Sequence, residues 1–301
     1  MKTILIIGSE GFIGGNCVKH FVENNFKVFG CDLIDHNTQD YNYTKISRLS
    51  PDFDSLFDGN TYDYCINAAG NGSVPVSIEH PVTDFEANCL DVIRILELIR
   101  KKSVACRYLH ISSAAVYGNP VSLPVDEESM LKPLSPYGWH KLIAENICAE
   151  YSALYDLDVA IVRPFSVYGP GLRKQLFWDL HKKSLQAENE IELWGDGTES
   201  RDFIYIDDMV KAIAIILSEK TENYMVFNLA SGIETTIKDV TSLFYKALNI
   251  KSSVKFNNLS RKGDPKNWRA NINKLNRIGF QNTTSIEQGI KFTAEWIKRS
   301  S

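Results

Sequence analysis

Tyr137 and Lys141 stand four positions apart at the start of a helical pattern, so their side chains share one face of the helix. An ammonium beside a phenol favours the phenolate, as does the positive end of a helix. Together they are expected to bring the tyrosine from ~10 toward neutrality. A phenol so tuned is a general acid or base near pH 7. Ser135 can cap this helix and Pro136 can take its first position, and Leu142, Ile143, Ile147 and Tyr151 carry the pattern on. Upstream, Arg107 to Ser113 reads as a strand that delivers Ser112 and Ser113 at its carboxyl end.

Glycine marks a second chemistry. The apolar run Thr3 to Ile7 stops at Gly8-Ser9-Glu10-Gly11-Phe12-Ile13-Gly14-Gly15, and a helical pattern follows through Cys17, Val18, Phe21 and Val22. Each glycine early in a helix costs on the order of 1 kcal/mol relative to alanine. The compensating use is phosphate: bare backbone lets N–H groups at a helix start approach a pyrophosphate. The next strand, Lys27 to Cys31, ends on Asp32, where a carboxylate can accept from the adenosine ribose hydroxyls and repel a 2′-phosphate. This pattern favours NAD over NADP.

The elements around these groups alternate strand and helix, which predicts an α/β fold, a Rossmann-type doubly wound parallel sheet with ligands at the carboxyl ends of its strands. Cys65-Ile66-Asn67-Ala68-Ala69-Gly70 is a strand end whose small residues allow close approach of a cofactor. A long amphipathic helix is expected over Thr83 to Arg100, whereas Asp35 to Ser50 carries no placeable third strand. Val159 to Pro164 is a further strand. Beyond it the pattern is mixed: a helix over Leu176 to Leu185, one opening at Arg201 to Asp208 and running to Leu217, a short strand at Val226 to Leu229, and helices over Ile237 to Leu248 and Ile286 to Ile297. The expected division is a dinucleotide-binding domain of residues 1–165 with 202–232, and a smaller mixed α/β substrate-binding cap of 166–201 with 233–301.

With 301 residues and a net charge of −4, the chain is large enough for this architecture, and its acidity argues against nucleic-acid or membrane-surface binding. Met1-Lys2 leads directly into the first strand and no apolar stretch reaches transmembrane length, so a cytoplasmic location is expected. The six cysteines lie singly in apolar patterns without metal-ligand spacing, which reads as small buried hydrophobes and no metal site.

Taken together the motifs resemble the extended short-chain dehydrogenase/reductase family, in its nucleotide-sugar branch of epimerases, dehydratases, decarboxylases and reductases. Gly8-Gly11-Gly14, Ser-Ser-x-x-Val-Tyr-Gly at 112–118, Tyr137 with Lys141, Arg-Pro-Phe-x-Val-Tyr-Gly-Pro at 163–170, Gly195-Asp196-Gly197 with Arg201 to Tyr205, and Arg-x-Gly-Asp at 261–264 occur in family order over nearly the whole chain. The resemblance implies Ser113, Tyr137 and Lys141 as the catalytic set. It implies NAD held by Gly8, Gly11, Phe12, Ile13, Gly14, Asp32, Leu33, Ala68, Ala69, Tyr137, Lys141 and Pro164. It implies a nucleotide-diphosphate sugar held by Ser113, Ser166, Gln175, Leu176, Glu192, Trp194, Arg201 and Arg261, with the two arginines on the diphosphate. Tyr137 would take a proton from a sugar hydroxyl while hydride leaves the same carbon for the nicotinamide, giving a transient ketone, with Ser113 bonded to the reacting oxygen. A homodimer through the two long helices is also implied.

Departures from the family pattern narrow the chemistry. Dehydratases of the family carry Asp-Glu after the catalytic Thr, and decarboxylases need the Glu; here those positions are Ala114 and Ala115. Ser166 replaces the usual asparagine that reaches the substrate phosphate, and Asn67-Ala68-Ala69-Gly70 departs from the commoner His-Leu-Ala-Ala. The expected function is an NAD-dependent nucleotide-sugar epimerase, with a 4-keto-sugar reductase or sugar 4-dehydrogenase as alternative and a non-catalytic nucleotide-binding protein behind both.

Overall fold

A computed structural model describes residues 1–36, 40–187, 189–219, 222–259 and 266–300. It opens with β1 (Thr3–Ile7), α1 (Phe12–Glu23) and β2 (Lys27–Asp32), followed by β3 (Asn42–Lys45), β4 (Tyr64–Asn67), α2 (Val74–Glu79) and α3 (Pro81–Phe85). A wide π turn (Glu86–Leu90) joins α3 directly to α4 (Asp91–Lys102). Next come β5 (Arg107–Ile111), a 3-10 turn (Ala114–Val116), α5 (Pro136–Tyr155), β6 (Val159–Pro164) and β7 (Ser166–Tyr168). The remainder runs α6 (Gln175–Gln186), β8 (Glu190–Leu193), β9 (Ser200–Tyr205), α7 (Ile206–Ser218), β10 (Tyr224–Leu229), β11 (Glu234–Thr236), α8 (Ile237–Leu248), β12 (Ser253–Phe256), α9 (Asn273–Arg277) and α10 (Ile286–Ser300).

Seven strands form one sheet in the order β10-β6-β5-β4-β1-β2-β3, and every pair from β3 to β6 is parallel. Ile4, Leu5, Ile6 and Ile7 are all fully buried, the continuous apolar run that a strand covered on both faces requires. On α4, Val92, Ile95, Leu96 and Ile99 recur at helical spacing and join Leu5, Ile7, Tyr108 and Ile161 in one core. Each such side chain contributes about 1.5–3 kcal/mol. From β1 the strand order proceeds outward to β2 and β3 on one side and to β4, β5 and β6 on the other. This reversal is the place in such a sheet where a crevice opens at the carboxyl ends.

The chain forms two compact units, the first of residues 1–118, 130–164 and 210–227 and the second of 119–129, 165–209 and 228–301. The second contains a three-stranded sheet in the order β11-β9-β7 and a two-stranded β12-β8 pair. Its core is aromatic: Tyr168, Phe177, Phe203 and Phe244 contact in sequence with ring centroids 5.1–5.9 Å apart or, for Tyr168 with Phe203, 6.0 Å.

Three local expectations are corrected. Arg201 does not open a helix: Ser200–Tyr205 is β9, flanked by β7 and β11, and the helix begins only at Ile206. The long helix starts at Pro81 and is interrupted by the π turn. The strand before the two serines ends at Ile111, because Ser113 turns to cap the 3-10 turn with its side chain.

Candidate active site

The glycine-rich turn between β1 and α1 is fastened to β2, since Gly8 N and Ser9 N both donate to Cys31 O, at 2.8 and 3.1 Å. The glycines do different work. A Cβ on Gly14 would lie 1.9 Å from Gly8 O, so this glycine lets α1 sit on the turn itself. Gly8 adopts φ +81° and faces the Ala68–Ala69 backbone with no room for a side chain. Gly11 and Gly15 are less crowded, a Cβ meeting only Gly8 O at 3.2 Å at the first and Ser9 O at 3.3 Å at the second. Gly11 also caps α1 without a side-chain hydrogen bond, which leaves the leading N–H groups of the helix to an anion. Close packing is thus a second use for Gly8 and Gly14 beside the expected approach of phosphate, and Gly11 is the least crowded of the three.

Asp32 ends β2 with Oδ1 accepting from Leu33 N at 2.6 Å and Oδ2 from Glu10 N at 2.9 Å. A cavity of about 660 Å³ opens here, and Gly8, Gly11, Asp32, Leu33, Ala68 and Ala69 all line it. Ile46, Arg48, Phe53, Asn71, Asp84 and Asp91 share its wall and were not anticipated. Ile46 follows β3, whose polar residues Asn42 to Lys45 give no apolar periodicity to find. Phe12 and Ile13 are half-buried in the first turn of α1, and Pro164 is buried at the end of β6. A dinucleotide suits this cradle: an open helix start, a carboxylate at the strand end and a bare strand terminus at Ala68–Ala69 line one cavity or border it.

Tyr137, the expected acid–base group, is placed by α5. Ser135 caps the helix by accepting from Gly138 N at 3.2 Å, with Pro136 in the first position. Tyr137 N donates to Ser77 Oγ at 3.1 Å. A Cβ on Gly138 would come within 2.8 Å of Ala115 O, so the absence of a side chain there lets the helix start press against the turn that carries Ser113. Ser113 Oγ accepts from Ala115 N at 3.1 Å and hydrogen-bonds the Tyr137 phenol. Lys141, 4% exposed, donates from Nζ to Ile111 O at 2.9 Å and stands 6.0 Å from the Tyr137 ring centroid. Behind them Glu145 accepts from Ser112 Oγ at 2.5 Å and from Arg163 Nη2 at 2.7 Å, and Arg163 Nη1 reaches Tyr117 OH at 2.8 Å. This buried network ties α5 to β5, β6 and the serine turn.

The expected lowering of the Tyr137 phenol is not what the protein alone produces. Burial pushes it above its ordinary value, Ser113 pulls it down, and the nearby Asp84 carboxylate adds to the rise. Burial likewise lowers the Lys141 ammonium to about 8, against a pull upward from Asp84. Desolvation outweighs the pairing read from spacing, because both groups lie inside the protein and not on a helix surface.

Apart from Ser113, the residues expected to hold substrate fall in the second unit. Ser166 on β7 and Arg201 on β9 belong to one sheet, in which Ser166 pairs with Phe203. Arg201 Nη1 donates to Ser200 O at 2.8 Å and Lys266 O at 3.2 Å, and its guanidinium lies 5.7 Å from the Trp268 ring centroid. The adjacent Asp202, fully buried, accepts from Ser231 N, Ser231 Oγ, Gly232 N and Ala270 N at 2.8–3.1 Å and so pins the strand. Gln175 and Leu176 open α6, and Gln175 holds φ +64°, a conformation rare outside glycine. Glu192 on β8 accepts from Asn257 Nδ2 at 3.1 Å, and Trp194 is 45% exposed. Arg261 lies outside the described residues. All six cysteines are free and buried, and among the described residues no cluster could hold a metal and no helix is long and apolar enough to cross a membrane.

Comparison with known proteins sets this geometry in context. The profile of the NAD dependent epimerase/dehydratase family matches residues 4–230. A Methanocaldococcus jannaschii protein carrying a provisional UDP-glucose 4-epimerase name is 30% identical over 99% of each chain. The UDP-glucuronate 4-epimerase of Thermodesulfobacterium geofontis is 29% identical, covering 100% of this chain and 97% of its own. The crystal structure of UDP-glucuronic acid 4-epimerase from Bacillus cereus, in complex with UDP-glucuronic acid and NAD, superimposes with a TM-score of 0.89 at 27% identity over 99% of this chain and 100% of that one.

Proposed function

Because the chain belongs to the NAD dependent epimerase/dehydratase family, we propose that it is a nucleotide-sugar epimerase that inverts C4 of a UDP-hexose. The observation that carries this reading is the meeting of Ser113, Tyr137 and Lys141 at the carboxyl end of β5 and the start of α5, in the same unit as the dinucleotide cradle. The relatives that epimerise UDP-glucose or UDP-glucuronate at C4 support the choice of nucleotide and carbon.

Gly8, Gly11, Gly14, Phe12 and Ile13 would hold the pyrophosphate of NAD, Asp32 and Leu33 the adenosine ribose, and Ala68, Ala69, Pro164, Tyr137 and Lys141 the rest. NAD, when bound, supplies the hydride acceptor and the donor for its return. Tyr137 takes the proton of the C4 hydroxyl and gives it back after the ketone has turned its other face. Ser113 donates to that oxygen, and the Lys141 ammonium favours the phenolate. In the second unit Arg201 and Arg261 would take the diphosphate, Ser166, Gln175 and Leu176 the adjoining groups, and Glu192 and Trp194 the base. Ala114 is fully buried and Ala115 half-buried, and neither methyl can move a proton, so elimination of water or loss of CO₂ has no acid or base to serve it.

We further propose a homodimer formed through the helical segment that runs from α3 into α4 and through α5. Phe85 at 41%, Leu154 at 67% and Tyr155 at 42% exposure support it as apolar side chains left outward on these helical segments. Free buried cysteines suit a reducing, cytoplasmic compartment and a role in carbohydrate biosynthesis there.

The test is incubation of the purified protein with a panel of UDP-hexoses, following products by mass and by C4 configuration. Epimer of unchanged mass, formed without added cofactor, is expected. A requirement for added NAD(P)H with gain of two hydrogens would make it a reductase, and water loss at enzymatic rates would overturn the use made of Ala114 and Ala115. Elution as a monomer at micromolar concentration would overturn the dimer.

A further inference from the structure

α3 brings to the catalytic helix a carboxylate that none of the family motifs contains. Asp84 is 2% exposed, with Oδ2 2.5 Å from His140 Nδ1 and Oδ1 accepting from Asn71 Nδ2 at 2.7 Å. An ionised carboxylate only accepts, so the pairing proposed below takes His140 with its proton on Nδ1, donating to Oδ2. Both partners are held. Asn88 Nδ2 donates to Asp84 O at 3.2 Å, Cys89 Sγ donates to His140 O at 3.2 Å, and the Phe85 ring meets the His140 ring edge-on at 5.4 Å. His140 immediately precedes Lys141 and lies about one turn beyond Tyr137, so the pair stands behind the two groups that handle the proton.

A buried carboxylate in this position acts in two opposed ways. It favours the ammonium of Lys141 and disfavours the phenolate of Tyr137. The second effect works against the base that the reaction needs, unless something draws off the carboxylate's charge. The geometry points to Asp84 and His140 as a paired positioning device for the proposed epimerase, in which Asp84 keeps Lys141 charged and the His140 N–H turns the carboxylate's charge away from Tyr137. The inference rests on the assignment of Tyr137 as the acid–base group. The other titratable groups facing the site are Cys89 from the π turn, His110 from β5, and Glu145 and Cys148 from α5, with Ser113 on the phenol itself. All of them remain in place in the variants below.

A pair that merely locks α3 to α5 would lose stability when either half is changed, and would leave the phenol alone. A charge-balancing pair moves the phenol in opposite directions. The experiment is a spectrophotometric titration of Tyr137 in the NAD-loaded protein, each trace corrected by its Tyr137→Phe counterpart, alongside the pH profile of turnover. Asp84→Asn removes the charge and keeps the shape, and should lower the Tyr137 titration and the acidic limb of the profile by about one pH unit. His140→Phe keeps a planar ring but removes the N–H that faces Oδ2, and should raise both. The double variant should stay at the lowered position of Asp84→Asn, because without the carboxylate's charge the His140 N–H has nothing to offset. Shifts of the same sign in the two single variants, or no shift in either, overturn the proposal. If Asp84→Asn unfolds, His140→Phe and His140→Ala decide alone: a raised titration supports the pair and an unmoved one overturns it. The phenol titration needs no sugar, so it reads the pair even if no UDP-hexose is turned over, whereas activity surviving in Tyr137→Phe would refute the epimerase mechanism instead.

Discussion

Substituting alanine one at a time for Gly11, Gly14 and Gly15 should separate packing from ligand binding within a single turn of helix. At Gly14 the new methyl would fall 1.9 Å from Gly8 O and 2.7 Å from Gly8 C, both backbone atoms, so α1 or the turn must move by about 1 Å. Overpacking of this kind costs ~1–3 kcal/mol and more where backbone has to yield, while the gain in helix propensity returns only ~1 kcal/mol. Gly14→Ala should therefore lose about 2 kcal/mol or more, a fall in Tm of about 5 °C or more, and its affinity for NAD should drop with the displaced turn. At Gly15 the methyl would meet only Ser9 O at 3.3 Å, so Gly15→Ala should stay within about 1 kcal/mol of wild type. Gly11 is the informative case. Its backbone, at φ −73°, accepts alanine, and the single close atom is Gly8 O at 3.2 Å. Gly11→Ala should keep its Tm within about 3 °C yet bind NAD at least tenfold more weakly, because the methyl stands where the pyrophosphate must approach. Thermal unfolding of the NAD-free protein and calorimetric titration with NAD measure the two effects separately. A Gly14→Ala protein as stable as wild type, or a Gly11→Ala protein with unchanged NAD affinity, would refute this division of labour.

Tyr137→Phe should keep fold and NAD binding and lower kcat by ~10²–10⁴-fold, since only the phenolic oxygen is lost; a variant retaining a tenth of the activity would remove Tyr137 from the mechanism. Asp32→Ala abolishes the contacts to Glu10 N and Leu33 N and should narrow the NAD over NADP preference about tenfold, as read by the two dissociation constants. Tighter binding of NADP than NAD by the wild type would contradict the role given to this carboxylate. Lys141→Met should end turnover and yet raise Tm at pH 7. Burial holds the ammonium at about 8, against ~10.4 in an unfolded chain, so between these values the unfolded state binds more protons and wild-type stability climbs with pH. Below about pH 8 the buried charge is a standing cost, which the variant removes, by roughly 1–3 kcal/mol once the lost bond to Ile111 O is set against it. The advantage should vanish by about pH 10, and a Tm below wild type at pH 7 would show that the ammonium is not held at a cost.

Elements with one dominant periodicity could be read directly from the residues. β1 is an unbroken apolar run and α5 carries its own cap and proline, so the strand was found with both ends and the helix with its start. β3 escaped because an edge strand of Asn, Tyr, Thr and Lys has no buried face to impose alternation. β9 was misread as the opening of a helix because Phe203 to Ile206 is apolar without a break, and only the neighbouring strands on both sides decide the case. Tyr137 and Lys141 came from spacing and Ser113 from the family resemblance, but the direction in which the phenol is displaced did not, since neither says anything of desolvation. The contact between Asp84 and His140 joins positions 56 apart and leaves no local trace at all.

The π turn at Glu86–Leu90 amounts to one residue spliced into an otherwise continuous helix. An α-helix advances ~100° per residue, so the extra residue turns everything before it by nearly a third of a revolution against everything after it. Without that offset a single helix would have to aim Val92, Ile95, Leu96 and Ile99 at the sheet and Asp84 at the cavity and at His140 of α5 along one stripe. Deleting one residue between 86 and 90 would heal the hydrogen-bond ladder while pointing one of these two sets the wrong way. The irregular turn thus works as a phase shifter, by which one length of chain keeps both its hydrophobic and its polar appointments.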